Sequence, residues 1–311
     1  MKIAVVGAGA MGSLFGGLLA ERGHEVALID VHAAHLEAIQ SKGLRLHTDQ
    51  GDRHIHNLTA CLPAQAQEQP DLVLVFTKTL HTGAALTGVA HLFGPETHVL
   101  SLQNGLGNVE VIQTHVAAER ILIGVTTWPA DLVGPGHVHS HGQGMIRLMS
   151  ADGQTSPMVA RTVQALDDAG LACAADAEVW AAIWEKVAFN AALNSICAVS
   201  QCTVDQLGQG DGQALAFAVV DEALAVAQAE GIHADVEACK AKVASAIAHH
   251  RGHKPSMLQD VLAGRPTEIE AINGAIVAHA QDHSIPVPCT RTLLQLVRLV
   301  QARGAASPPA A

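Results

Sequence analysis

The sequence is poor in the features that would commit it to a membrane, to nucleic acid or to a disulfide framework. No stretch of 18 residues is apolar throughout, although hydrophobic residues make up 49% of the chain, which argues against a membrane-spanning helix. Charge is scarce at 15%, and its balance is acidic: 18 Lys and Arg against 29 Asp and Glu, a formal net charge of -11. Nucleic acid is therefore not an expected partner, because no basic stripe offsets phosphate repulsion. The shortage also makes each lysine set among apolar residues informative, since an anionic cofactor or substrate needs a local positive group. The six cysteines (Cys61, Cys173, Cys197, Cys202, Cys239 and Cys289) include no C-x-x-C. That usage fits small buried thiols and places the chain in a reducing cytoplasm. The apolar start resembles a secretory signal only superficially. Five glycines fall between residues 7 and 17, and no small-residue cleavage site precedes Glu21-Arg22.

What is present begins at once. Lys2 to Val6 is a short β-branched run that reads as a buried parallel strand, and Ser13 to Ala20 reads as a helix. Between them lies Gly7-Ala8-Gly9-Ala10-Met11-Gly12, and a second strand, Glu25 to Ile29, ends on Asp30. A G-x-G-x-x-G turn after a strand, opening a helix, with an acid about 20 residues on, is the pattern of a dinucleotide site. The first glycine permits the tight turn, the second lets backbone approach a pyrophosphate, and the third lets helix and strand pack closely. The helix N-terminus offers unpaired N–H groups to the phosphates. Gly7 to Gly12 and Asp30 are thus candidate cofactor-binding residues.

Further along, Asp71–Thr77 and His98–Leu102 read as strands, Gly83–Leu92 and Asn108–His115 as helices, and Ile121–Thr127 as a strand. Strand alternating with helix predicts a doubly wound α/β sheet, with ligands beyond the carboxyl ends of its strands. Lys78 and Asn104 occupy that edge. Residues 130–150 read as short antiparallel strands between Gly/Pro turns. From about Asp176 the chain reads as helix after helix. The expected division is a Rossmann-type domain over 1–173, an all-α domain over 176–303 and a disordered tail over 304–311.

Val179 to Ser200 is an apolar helix interrupted by Lys186, Asn190 and Asn194. At i, i+4 and i+8 these stack along one face. Asparagine is a poor helix former, so the stripe is either a solvent side or a site that tertiary structure satisfies. A second cluster spans Pro255 to Asp260 and Arg265 to Gly274. Ser256 with Gln259, and Thr267 with Glu270, each fit a capping box, whereas Glu268 has no such local duty. His137-x-His139-x-His141 would set three imidazoles on one face of a strand. No cysteine or carboxylate completes a familiar ligand set there, so solvated histidines and no metal are expected.

Together, GAGAMG, Lys78, the QNG at 103–105, the K-x3-N-x3-N at 186–194 and PSMLQD…GRPTEIEAING at 255–274 resemble the ketopantoate reductase family, over Met1 to about residue 303. The resemblance implies a role in pantothenate biosynthesis: hydride passes from a reduced nicotinamide cofactor to the 2-oxo carbon of ketopantoate, giving (R)-pantoate. It implies that Lys186 donates a proton to the carbonyl oxygen and that Glu268 is its catalytic partner. Asn190, Asn194 and Ser256 would bind the substrate, with Asn104 and Lys78 serving substrate and cofactor. A lysine ammonium suits this task because it both stabilises the alkoxide-like oxygen and supplies its proton. Family habit and the long apolar C-terminal helices make a homodimer the expected assembly.

One position departs from the family pattern. NADPH-using members carry an arginine just after the second strand, where this chain has Asp30-Val31-His32. A carboxylate accepts bonds from the ribose hydroxyls of NAD and repels a 2′-phosphate. NADH is therefore expected over NADPH, unless Asp30 serves only as a loop cap. His32 or His35 could restore NADPH binding only if protonated. The change also opens a related activity, an NAD-dependent D-2-hydroxyacid dehydrogenase of mandelate-like or branched-chain substrates. A nucleotide-sensing protein on the same fold is a further alternative, though a sensor has no need of a proton donor.

Overall fold

The computed structural model describes residues 1–306. The chain forms two compact units. One comprises Met1–Gln103 with Asn108–Val179, the other Asn104–Gly107 with the chain from Trp180 onward.

In the first unit, β1 (Lys2–Val6), α1 (Ala10–Glu21), β2 (Glu25–Ile29) and α2 (Ala33–Lys42) alternate as the sequence pattern predicts. A hairpin of β3 (Leu44–Thr48) and β4 (Gly51–Ile55) follows, then β5 (Thr59–Cys61) and β6 (Leu72–Val75). Next come α3 (Thr82–Gly88), β7 (His98–Ser101), α4 (Asn108–Gln113), β8 (Ile121–Thr126), β9 (Asp131–Gly134) and β10 (His137–Ser140). The unit ends with β11 (Ile146–Ser150), α5 (Pro157–Asp168) and β12 (Cys173–Ala175).

The main sheet has eight strands in the order β12-β11-β8-β7-β6-β1-β2-β5. From β5 to β8 every pairing is parallel, while β11 joins antiparallel to β8. Counting only the parallel strands, the order is the doubly wound one of a Rossmann fold, with its reversal between β1 and β6. Val5, Leu28, Leu74 and Val99 are buried, as strands covered on both faces require. A second sheet runs β4-β3-β10-β9, with β10 parallel to β3.

Three local expectations shift. The helix expected over 83–92 stops at Gly88, because Val89 (φ -115°, ψ 17°) leaves helical geometry, and a separate turn covers Ala90–Leu92. The strands expected over 130–150 are divided between the two sheets, since β9 pairs with β10 and β11 with β8. The three-residue β12 is too short to announce itself by periodicity.

The second unit is helical. Its helices are α6 (Val179–Ser200), α7 (Gly212–Ala229), α8 (Val236–His249), α9 (Ser256–Leu262), α10 (Ala275–Asp282) and α11 (Pro288–Ala306). A π-helical turn, Glu270–Gly274, leads directly into α10. The buried residues include Trp184, Val187, Ala188, Ala191 and Ala192 of α6, and Val219 and Ala223 of α7. The helical state of α11 extends to Ala306, inside the segment expected as a tail. Residues 307–311 of that segment lie outside the described residues. Among the described residues, no helix is long and apolar enough to cross a membrane.

Candidate active site

The glycine-rich turn sits where the sheet order reverses. Gly7 has φ +94°, and a methyl group there would lie 2.6 Å from the Thr77 nitrogen. A methyl on Gly12 would lie 2.0 Å from the Gly7 carbonyl oxygen. At Gly9 the same methyl meets nothing within 4 Å, so the turn is open at the point where backbone must approach a ligand. Gly9 also precedes α1, which has no side-chain cap and no acid in its first turn. The first N–H groups, those of Ala10, Met11 and Gly12, have no intrahelical acceptor, and the helix's own first turn holds no acid. These features fit the pyrophosphate of a dinucleotide.

Asp30 is tied into this turn. Its Oδ2 accepts from the Ala8 N–H at 2.7 Å, and its Oδ1 accepts from the N–H groups of Val31 at 2.7 Å and His32 at 2.9 Å. The carboxylate therefore braces the loop from both sides while remaining half-exposed. His35 is buried. Its Nδ1 accepts from the Gly136 N–H at 2.9 Å, so its Nε2 carries the proton that faces Ser13 Oγ at 3.1 Å. Burial lowers its pKa, which removes it as a cationic partner for a phosphate. His32 Nδ1 accepts from the His35 N–H at 3.2 Å as an N-cap.

Lys78 is half-buried and stands just ahead of a short helical turn, Thr79–His81, beyond the carboxyl end of β6. Gln103, beyond β7, donates to the Thr77 carbonyl at 2.6 Å and to Thr82 Oγ1 at 2.7 Å. It fixes the loop between β6 and α3.

In the helical unit, Lys186 and Asn190 are half-buried and Asn194 is buried. A mere solvent face of α6 is thereby excluded. Burial pulls the Lys186 pKa down from 10.5 to about 8, against the opposing pull of the Glu268 carboxylate. Glu268 Oε2 accepts from Asn104 Nδ2 at 3.2 Å. Its own carbonyl accepts the Ala271 and Ile272 N–H groups, each at 3.1 Å, as the π turn begins. Such turns are rare and concentrate at functional sites.

The Asn104 loop is held by backbone. The Leu106 N–H donates to the Ala271 carbonyl at 2.9 Å. Gly105 has φ +84°, and a methyl there would lie 2.5 Å from the Ala271 oxygen. The QNG and EIEAING motifs thus explain each other.

Both capping boxes are corrected. Pro255, not Ser256, is the N-cap of α9, without a side-chain bond, and Gln259 donates instead to the Lys254 carbonyl at 2.9 Å. Ser256 is the exposed first residue of that helix. Glu270 is bound by Arg298 of α11 at 2.7 and 2.5 Å, which depresses its pKa. Of the two glutamates, Glu268 is the one turned toward Lys186 and Asn104.

The comparisons decide the family. Residues 3–153 match the description "Ketopantoate reductase PanE/ApbA", and residues 178–301 match its C-terminal counterpart. The chain belongs to the ketopantoate reductase family.

This family comprises NAD(P)-dependent oxidoreductases. A 2-dehydropantoate 2-reductase of Streptococcus pyogenes is 33% identical over 304 residues, covering 97% of this chain and 98% of that one. Among solved structures, D-mandelate dehydrogenase with NADH and anilino(oxo)acetate superposes with a TM-score of 0.93 at 32% identity, covering 98% of this chain and 100% of that one. A PanE/ApbA family ketopantoate reductase from Ralstonia eutropha gives a TM-score of 0.89 at 32% identity, again with 98% and 100% coverage.

Sequence reasoning missed the bracing by Gln103, the π turn and the tie between Asp30 and Ala8. A glutamine just after a strand was a weak signal for the first. Nothing local announced the other two.

Proposed function

We propose that this ketopantoate reductase family member reduces the 2-oxo group of a small 2-oxoacid, with ketopantoate first and NADH as the preferred donor. The observation that carries the reading is the lysine of lowered pKa next to Glu268, which is itself held by Asn104. A bound nicotinamide would supply the hydride to the 2-oxo carbon. The Lys186 ammonium then gives its proton to the carbonyl oxygen as the C=O double bond becomes C–O, leaving a neutral amine that solvent reprotonates. A pKa near 8 keeps the lysine mostly protonated at neutral pH, yet acidic enough to donate.

Glu268 opposes the full loss of that charge and orients Asn104. Asn190, Asn194 and Ser256 are assigned to the substrate's polar groups, Asn104 to the substrate and Lys78 to the cofactor. NADH is favoured because Asp30 sets a fixed negative charge beside the glycine-rich turn, where a carboxylate would bind ribose hydroxyls and repel a 2′-phosphate. The likeness to D-mandelate dehydrogenase supports a second reading, an NAD-dependent D-2-hydroxyacid dehydrogenase of mandelate-like or branched-chain substrates. A homodimer is the proposed assembly, supported by exposed Leu296 and Leu299 on α11; a monomeric mass by light scattering would refute it.

The test is a set of initial rates with NADH and NADPH crossed against ketopantoate, phenylglyoxylate and branched 2-oxoacids. Fastest turnover of ketopantoate with NADH supports the first reading, and preference for phenylglyoxylate the second. No turnover with any pair would favour a nucleotide sensor.

A further inference from the structure

We infer that His47, His139 and His141 form a binding site for a divalent transition-metal ion on the outer face of the four-stranded sheet. His139 of β10 is the direct cross-strand partner of His47 of β3, so both side chains leave the sheet on one face. His141 lies two residues beyond His139, past the end of β10. The opposite face carries Leu44, Leu46 and Val138, all buried. Packing thus fixes the pleat and leaves the three imidazoles half-buried or exposed.

One ring nitrogen from each histidine lies within 4.8 Å of the other two. His47 Nδ1 and His139 Nε2 are 3.0 Å apart, close to the edge of about 3.3 Å that tetrahedral coordination at 2.0–2.1 Å requires. The rings stand edge-on to each other, with centroids 4.5 Å apart for His47–His139 and 4.8 Å for His47–His141. The convergence itself rests on the ring nitrogens, one from each histidine lying within 4.8 Å of the other two.

Tautomers and outer contacts agree with a metal site. His141 Nδ1 contacts Asp49 Oδ1 at 2.9 Å. A proton on Nδ1 there leaves the Nε2 lone pair for a metal, the usual carboxylate–histidine support. Asp49 is itself fixed by the Gly142 N–H at 2.7 Å. Between His47 and His139 one nitrogen must now carry the shared proton. Metal binding moves it to the outer nitrogen of the same ring, so both facing nitrogens offer lone pairs and no net proton is lost. Three imidazoles without sulfur select Zn2+, Ni2+ or Cu2+ over the hard cations, and three protein ligands leave a position open to solvent. The site lies within the first unit and is independent of the proposed reaction. Its effect is to clamp β3 to β10.

The test is calorimetric titration of Zn2+ alone into the chelator-treated full chain at neutral pH, with Mg2+ as a hard-ion control. One equivalent of Zn2+ should bind, with no Mg2+ signal at that site. His139→Ala, His47→Ala and His141→Ala should each weaken it by about tenfold or more, whereas His98→Ala should not. Thermal melts in chelator confirm that the variants fold, and His141, exposed beyond the strand, tolerates replacement. Absence of a one-equivalent site in the wild type, or wild-type affinity in all three variants, overturns the proposal.

Discussion

The carboxylate of Asp30 accepts the backbone N–H of Ala8 at 2.7 Å. The residue that closes β2 therefore also holds the glycine-rich turn after β1. Its single negative charge satisfies a donor of a buried residue, and in the proposed function it also faces the cofactor's ribose.

Asp30→Asn keeps an acceptor but removes the charge. NADH should be preferred over NADPH by about tenfold or more in the wild type, a step of about 1.4 kcal/mol, and the variant should narrow that ratio. Asp30→Ala should in addition destabilise the fold by about 1.5–3 kcal/mol in urea unfolding, the usual worth of a bond to a charged acceptor. Equal use of both cofactors by the wild type would refute the electrostatic argument.

Lys186→Ala should lower turnover by about a hundredfold or more, the ordinary worth of a general acid. With a pKa of about 8, wild-type reduction should lose rate as pH rises through that value, because the donor becomes neutral. The oxidation direction should show the opposite slope. A flat profile in both directions would remove Lys186 from proton transfer.

The same lysine should cost stability. Its folded pKa lies below the ordinary 10.5, so between those values the unfolded chain binds more protons and stability rises with pH. The burden of the buried charge is complete below about pH 8. Lys186→Met should raise Tm at neutral pH and raise it less above pH 10.5. An unchanged or lower Tm at neutral pH counts against this account.

The two glutamates separate cleanly. Glu268→Ala should reduce kcat/KM by about a hundredfold. Glu270→Ala breaks only an exposed pair with Arg298, worth about 1 kcal/mol of stability at most, and should leave kcat/KM nearly intact. Equal losses would show that the wrong glutamate was assigned.

Gly105→Ala should destabilise the protein by about 1–3 kcal/mol, the usual cost of forcing a side chain into a left-handed backbone. Its φ is +84°, and the added methyl would lie 2.5 Å from the Ala271 oxygen. Thermal melts measure the first effect, and a raised KM would report the displaced Asn104. A wild-type Tm would mean that the loop moves freely aside.

Much of this protein was legible in its sequence because its strongest signals are local. The strand–glycine turn–helix start, the run of parallel strands and the polar stripe of α6 each follow from spacing along one element, where periodicity and steric demand act over a few residues. The resemblance of the motifs to ketopantoate reductases added the family, and the matches over residues 3–153 and 178–301 bear it out. Composition alone removed nucleic acid from the expected partners.

What tertiary structure decided concerns residues whose partners are far away in sequence. Ser256 and Glu270 both looked like caps, yet one is uncapped at the start of α9 and the other is held by Arg298, 28 residues on. Asn104 reaches Glu268 across 164 residues, and His47 meets His139 across 92. Spacing along a chain encodes which face a side chain takes, because helix and strand have fixed periods. It does not encode which other element packs against that face. That pairing is set only when the whole core is buried, so Lys186 was readable as a candidate from sequence, while its lowered pKa and the carboxylate beside it belong to the fold.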